Sequence, residues 1–217
     1  MRLLLVGAPG VGKGTQAKRL AADLSVPHVS TGDMFRDAIR RDTPLGRQAR
    51  VFIDQGMLVP DELTIGLIEE RFSTSAGAAD HGFILDGFPR TLPQAKALDG
   101  LLEKIGAPLE AVVVLDISDD GVVERITGRR SCVGCGTPYH LRFRKPVQAG
   151  ICDICQNPLV QRADDTEEKV RRRLEKYHTE TQMVIPFYEA KKLVRRVDGS
   201  LAADEVYRAI RKTLGLP

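Results

Sequence analysis

Nine residues near the start of the chain, Gly7-Ala8-Pro9-Gly10-Val11-Gly12-Lys13-Gly14-Thr15, follow directly on the apolar run Leu3-Leu4-Leu5-Val6. No other stretch constrains the fold as strongly. A short aliphatic run ending in glycine reads as a buried strand. The pattern G-x-x-x-x-G-K between a strand and a helix start makes a loop whose backbone N–H groups turn inward around an anion. The helix that follows adds its positive N-terminal end, and Lys13 adds a mobile charge. One position departs from the usual pattern. Gly14 stands where Ser or Thr ordinarily meets a magnesium ion, and Thr15 comes one residue later.

Further short apolar runs recur down the chain, at His28–Ser30, Gly82–Asp86, Ala111–Ile117 and Leu193–Val197. Between them the spacing predicts helices near residues 13–24, 31–41, 60–73, 91–105, 119–129, 166–190 and 201–214. Strands alternating with helices imply βαβ units and a parallel sheet covered on both faces. Ligands of such sheets bind beyond the carboxyl ends of the strands. The phosphate loop, Thr31 and Asp86 all follow strand ends and so belong on one face. Pro60 with Asp61 and Glu62 opens one helix. Asp165 with Glu168 reads as a capping box for another, and Pro186 as its break or kink. A chain of 217 residues with net charge +3 is long enough for a substantial core, and its charge by itself points to neither nucleic acid nor membrane. The first apolar run is too short to span a bilayer, so the expected location is the cytoplasm.

Residues 130–161 break the alternation. They are rich in Gly, Pro and Cys, show no helical period, and are long for a plain loop, which predicts an inserted mini-domain. All four cysteines of the chain fall there, as Cys132-x2-Cys135 and Cys152-x2-Cys155. Two such pairs at this separation form a zinc-binding pattern. Four thiolates close the coordination shell, so the expected ion is structural, substituting for a core that the insert is too small to build. Disulfides are disfavoured in a cytoplasmic chain. The four histidines, His28, His81, His140 and His178, are scattered and form no catalytic pattern.

These segments, taken with Ser30-Thr31-Gly32-Asp33, Gly56-Met57-Leu58-Val59-Pro60-Asp61, Asp86-Gly87-Phe88-Pro89-Arg90-Thr91, Gln94, Arg125-x3-Arg129 and Arg162-x-Asp164-Asp165, occur in an order that resembles bacterial adenylate kinases of the long, zinc-containing lid form. The resemblance covers essentially the whole chain, and glycine after the loop lysine is part of it. It implies an α/β P-loop fold. A parallel five-stranded sheet with helices on both faces (residues 1–29, 60–127 and 166–217) would carry a helical monophosphate-binding insert (30–59) and a zinc-binding lid (128–165). It implies the reaction ATP + AMP ⇌ 2 ADP with magnesium, and a monomer acting on nucleotides with neither nucleic acid nor membrane as partner.

The resemblance also assigns roles. Gly10, Val11, Gly12, Lys13, Gly14 and Thr15 would bind ATP phosphates, with Pro138, Tyr139 and the backbone of Leu201 near its adenine. Arg36 and Arg90 would take the AMP phosphate. Arg125, Arg129, Arg162 and Arg173 would surround ATP and the transferring group, the last two also reaching AMP. Asp86 would hold magnesium, and Asp164 and Asp165 would pair with arginines or cap the next helix. Thr31, Met57, Leu58, Val59, Gly87, Phe88, Pro89 and Gln94 would form the AMP base site. Arginine suits such work because its planar fork binds phosphate oxygens in pairs. No general base is needed, because the acceptor phosphate is already ionised. Three other readings predict different features. A related monophosphate kinase or a GTP donor would differ in base contacts. A zinc-ribbon nucleic-acid ATPase would show a basic, aromatic outer face on the insert. A GTPase-like switch would need an N-K-x-D motif, which the chain lacks.

Overall fold

The computed structural model describes residues 1–74 and 82–217, so His81 lies outside the described residues. Strand β1 (Arg2–Gly7) leads through the glycine-rich loop into α1 (Lys13–Leu24). Strand β2 (His28–Ser30) runs into α2 (Thr31–Arg40), α3 (Pro44–Asp54) and α4 (Asp61–Thr74). Strand β3 (Phe83–Asp86), α5 (Leu92–Lys104), β4 (Ala111–Asp116) and α6 (Asp119–Thr127) follow. The cysteine-bearing insert contributes β5 (Arg129–Cys132), β6 (Pro138–His140) and β7 (Leu159–Val160). The chain closes with α7 (Glu167–Lys176), α8 (Val184–Glu189), β8 (Val194–Asp198) and α9 (Ala203–Thr213).

Five strands form one parallel sheet in the order β2-β3-β1-β4-β8. Alternate residues of the central strands feed two separate cores, as the pleat requires. Leu4, Val6, Leu85, Val112 and Val114 pack with Ile68 and Phe72 of α4, Leu98 and Leu102 of α5, and Tyr188 of α8. On the opposite face Leu3, Leu5, Ile84, Val113 and Leu115 pack with Ala17 and Leu20 of α1 and with Val206 and Ile210 of α9. Central strands buried on both faces are therefore aliphatic throughout.

Sequence and structure part company at several places. Helix α3 went unread, because Pro44 and Gly46 look like turn residues. Pro44 sits in the first turn, where its missing N–H costs nothing, and Thr43 caps the helix by accepting from the Gly46 N–H at 3.0 Å. The predicted helix 166–190 is interrupted by a π-helical turn at Tyr177–Thr181 and not by Pro186, which lies in the first turn of α8. Asp165 is not a cap: the N-cap position of α7 is Thr166, without a side-chain hydrogen bond. The helix predicted over 119–129 ends at Thr127, which leaves Arg129 to open the first strand of the insert.

The insert itself is a three-stranded antiparallel sheet in the order β6-β5-β7. Its small core is Cys132, Tyr139 and Cys152. The two chain segments that enter and leave it are joined by Gln161, whose side-chain amide donates to the carbonyls of Thr127 (3.2 Å) and Asp165 (3.0 Å).

Helices α2 and α3 cross so closely at Gly46 that a β-carbon there would sit 2.1 Å from the Ala38 carbonyl oxygen. Gly66 in α4 and Gly100 in α5 have open space around the same position. We expect Gly46→Ala to lose about 1–3 kcal/mol of stability through overpacking. Gly66→Ala and Gly100→Ala should gain up to about 1 kcal/mol through helix propensity. Chemical denaturation of the three variants measures this; equal effects at the three positions would contradict the crossing geometry.

Candidate active site

Beyond the carboxyl ends of the strands lies one cavity of about 680 Å³. The phosphate loop supplies its floor. Gly10 and Gly12 adopt φ of +78° and +109°, left-handed values that let the loop wrap with its amides inward. Lys13 is half-buried, and its Nζ donates to the carbonyls of Gly7 (2.7 Å) and Ala8 (2.9 Å). Burial, together with the neighbouring Arg90, Arg173 and Arg129, pulls its pKa down to about 8 despite the opposing charge of Asp86. Gly14 lies close against Asp86. A β-carbon there would lie 3.2 Å from Asp86 Oδ2, so a larger residue would require the carboxylate at the end of β3 to shift by a few tenths of an ångström. His28 Nε2 is 3.6 Å from the same oxygen, beyond hydrogen-bond reach.

Ten lysine and arginine side chains line this cavity against three aspartates, Asp33, Asp86 and Asp164. Arg90 donates from Nε to the Gly87 carbonyl at 2.7 Å. Burial, then the nearby Arg173, lowers its pKa to about 10. Arg162 donates to Ser131 Oγ at 2.9 Å, and burial followed by Arg129 and Arg36 brings its pKa to about 10 as well. Burial also works against Arg129, but a two-pronged bond to Asp165 more than offsets it: Nε reaches Oδ2 at 2.8 Å and Nη2 bonds Oδ1. Asp165 has no exposed surface at all. Arg173 reaches Asp164 Oδ2 at 3.0 Å, and Arg36 reaches Asp33 Oδ1 at 2.6 Å. Burial raises the Asp164 carboxyl, yet Arg173, Arg129 and Arg162 together hold it below the ordinary value. The cavity thus concentrates positive charge that the protein itself only partly neutralises, an arrangement suited to polyphosphate.

Of the residues singled out in the sequence, the cavity lining includes Gly10, Gly12–Thr15, Thr31, Arg36, Met57–Val59, Asp86, Gly87, Pro89, Arg90, Gln94, Arg129, Pro138, Arg162 and Arg173. Five others do not line it. The side chains of Val11 and Phe88 belong to the two cores. Tyr139 is buried in the insert, where its hydroxyl accepts from the Asp153 N–H at 2.8 Å. Leu201 contributes its carbonyl to Arg125 at 3.2 Å. Arg125 donates to the carbonyls of Val11 (3.1 Å), Gly199 (2.6 Å) and Ser200 (2.8 Å) as well, and so ties the phosphate loop to the turn after β8. Lys18, Arg144 and Lys176 also line the cavity and were not singled out as site residues. Helical spacing offered a signal for two of them: Lys18 lies four residues after Gly14, and Lys176 three after Arg173. Arg144 carried none, being one of several basic residues in an irregular segment.

The four cysteine Sγ atoms lie within 4.8 Å of one another, with Cys132–Cys155 at 3.3 Å and Cys135–Cys152 at 3.6 Å. A tetrahedron with metal–sulfur bonds of about 2.3 Å has edges close to these separations, so the donor set and its spacing fit zinc. The Cys135 N–H and the Asn157 side-chain amide point at Cys132 (3.5 Å) and Cys155 (3.4 Å), as donors to thiolate do. Of the basic residues in the irregular part of the insert, Arg144 lines the cavity and Arg142 pairs with Glu124 at 2.5 Å.

Comparison with known proteins adds an independent finding. The family model for adenylate kinase matches residues 5–193. An adenylate kinase of Moorella thermoacetica is 51% identical over 215 residues, which is 99% of this chain and 98% of that protein. One from Lachnospira eligens is 46% identical over 99% of this chain and 100% of its own length. One from Clostridium botulinum is 47% identical over 99% of both.

Above pH 8, a lysine whose pKa lies near 8 takes up a proton when phosphates bind beside it. Nucleotide binding should therefore take up protons around pH 8.5, and the uptake should fade below pH 7, where Lys13 is already charged. Titration calorimetry in buffers of different ionisation enthalpy reads this directly. If Lys13→Met takes up as much as the parent protein, the depressed pKa is wrong.

Proposed function

Because the chain belongs to the adenylate kinase family, we propose a division of labour along its cavity, with ATP at the phosphate-loop end and AMP at the end lined by α2 and Gln94. The reaction is phosphoryl transfer from ATP to AMP, giving two ADP. The observation that carries the assignment of roles is the unbalanced positive lining of a single cavity that reaches from Lys13 to Gln94.

Phosphoryl transfer asks a protein mainly for position and charge compensation. At the donor end, the amides of Gly10–Thr15 and the start of α1 cradle the phosphates. Pro138 and Arg144 approach from the insert, and Arg125 holds the turn at Leu201 beside the loop. At the acceptor end, Arg36 and Arg90 take the AMP phosphate, while Thr31, the Met57–Val59 segment, Pro89 and Gln94 surround its base. Between the two, Lys13, Arg129, Arg162 and Arg173 converge on the phosphoryl group in flight. Arg129 and Arg162 both belong to the insert, so its closure delivers two charges together and excludes water, the competing acceptor. Asp86, buried beside the loop, is the carboxylate placed to hold hydrated magnesium. Magnesium, when bound, neutralises charge on the ATP phosphates. Cys132, Cys135, Cys152 and Cys155 would hold a structural zinc ion that keeps the insert stiff. The same reading makes the protein a cytoplasmic monomer acting on free nucleotides alone.

The direct test mixes purified protein with magnesium, ATP and AMP and counts two ADP per turnover, with GTP, GMP, CMP and UMP as comparison substrates. Lys13→Ala and Arg90→Ala should each lower kcat/KM by about two to three orders of magnitude. Full turnover in either folded variant would refute the assigned roles.

Stripping metal from the insert should lower the thermal midpoint more than it lowers activity at moderate temperature. Loss of turnover with an unchanged circular dichroism spectrum would show that the metal is not structural.

A further inference from the structure

Gln94 is almost wholly buried at 1% exposure, yet it borders the cavity. It is the third residue of α5, next to the capping Thr91, whose hydroxyl accepts from the Gln94 N–H at 3.3 Å. Both ends of its side-chain amide are engaged. Oε1 accepts from the backbone N–H of Arg90 at 2.8 Å, and Nε2 donates to Asp61 Oδ1 at 2.7 Å. Asp61 is itself fixed. It begins α4, and its other oxygen accepts from Thr91 Oγ1 at 2.8 Å.

The two partners are chemically one-sided. A backbone N–H only donates, and a carboxylate only accepts. A flipped amide would set NH2 against N–H and carbonyl against carboxylate, losing both bonds and leaving buried polar groups unpaired. Only one orientation is therefore allowed. In it, Oε1 retains a second lone pair and Nε2 a second hydrogen. The 6-amino group and N1 of adenine present a donor beside an acceptor, which complements that pair. A 6-oxopurine presents the reverse, a carbonyl acceptor beside an N1–H donor.

We propose that Asp61 is a positioning residue that makes the acceptor site select 6-aminopurine over 6-oxopurine monophosphates, by fixing the orientation of the Gln94 amide. This rests on the reading of Gln94 as a base contact, and the test separates the two. Inosine 5′-monophosphate is the probe, because it differs from AMP only in carrying a carbonyl at position 6 and hydrogen at N1. Asp61→Asn removes the one-sidedness: its amide can turn to donate, so Gln94 can flip at the cost of the Arg90 bond alone. The AMP-to-IMP ratio of kcat/KM should fall about tenfold or more, through a higher KM for AMP, with KM for ATP unmoved. Asp61→Glu, which keeps an acceptor, should retain much of the preference.

In the unaltered protein, the 5′-monophosphate of purine riboside, which lacks any group at position 6, should bind more tightly than IMP by calorimetry, since it forgoes one bond and reverses none. This arm needs no variant to fold. Equal binding of the two would overturn the fixed orientation. If Gln94→Ala erases the AMP preference while folded Asp61→Asn retains it, Asp61 merely stabilises the start of α4 and the proposal fails. If Gln94→Ala keeps the preference too, the base-contact reading fails and takes the proposal with it.

Discussion

The protein is organised around a repulsion it does not resolve. Lysines and arginines from α1, α2, α7, the β3–α5 turn and the insert surround one space, and carboxylates pair with only some of them, Asp33 with Arg36, Asp164 with Arg173, Asp165 with Arg129, Asp204 with Arg19 and Glu180 with Lys176. Burial makes the imbalance costly. The lowered pKa values of Lys13, Arg90 and Arg162 express it, because each group would hold its proton less firmly there than in water. Charge gathered in this way by the fold favours an anion wherever the side chains already converge.

Two carboxylates keep the imbalance compatible with a folded chain. Asp164 and Asp165 leave the insert side by side and take different arginines, Asp165 gripping Arg129 at the insert's entry and Asp164 reaching Arg173 on α7. Removing one partner of a buried pair costs far more than the pair contributes, so these bonds set the direction of the arginines more than they add stability. The insert has a small interior of Cys132, Tyr139 and Cys152, with Cys155 and Leu159 packed against it, and three of those residues also belong to the cysteine cluster.

Much of this was legible in the sequence, for identifiable reasons. The central strands β1, β3 and β4 announced themselves as aliphatic runs, since strands covered on both faces have no polar side to disguise them, whereas the edge strands β2 and β8 carry His28, Arg195 and Arg196. Paired cysteines are short-range patterns, and the structure brings their sulfurs together. Helix α3 was hidden because its start uses Pro44 and its crossing uses Gly46, both residues that ordinarily signal turns. Asp165 resembled a cap because Glu168 follows at the right interval, while its actual partner, Arg129, lies 36 residues away. Long-range pairing of that kind leaves no local trace. Nor does the Asp61–Gln94 bond, which spans 33 residues. The arginine series was legible only as a resemblance, since no single arginine in isolation differs from a surface one.

Arg125 and Arg129 stand one helical turn apart and belong to different parts of the molecule. The first is clamped by four carbonyls to the frame, while the second is already part of the insert. Between them Ile126 is sealed in the interior, and a β-carbon on Gly128 would strike the His140 ring at 2.4 Å. The chain therefore enters the insert directly beside the phosphate loop, with the frame held on one side by Arg125 and the insert begun on the other by Arg129. A side chain larger than hydrogen at position 128 would push the first strand of the insert away from its own second strand at the root, where the two parts of the molecule meet.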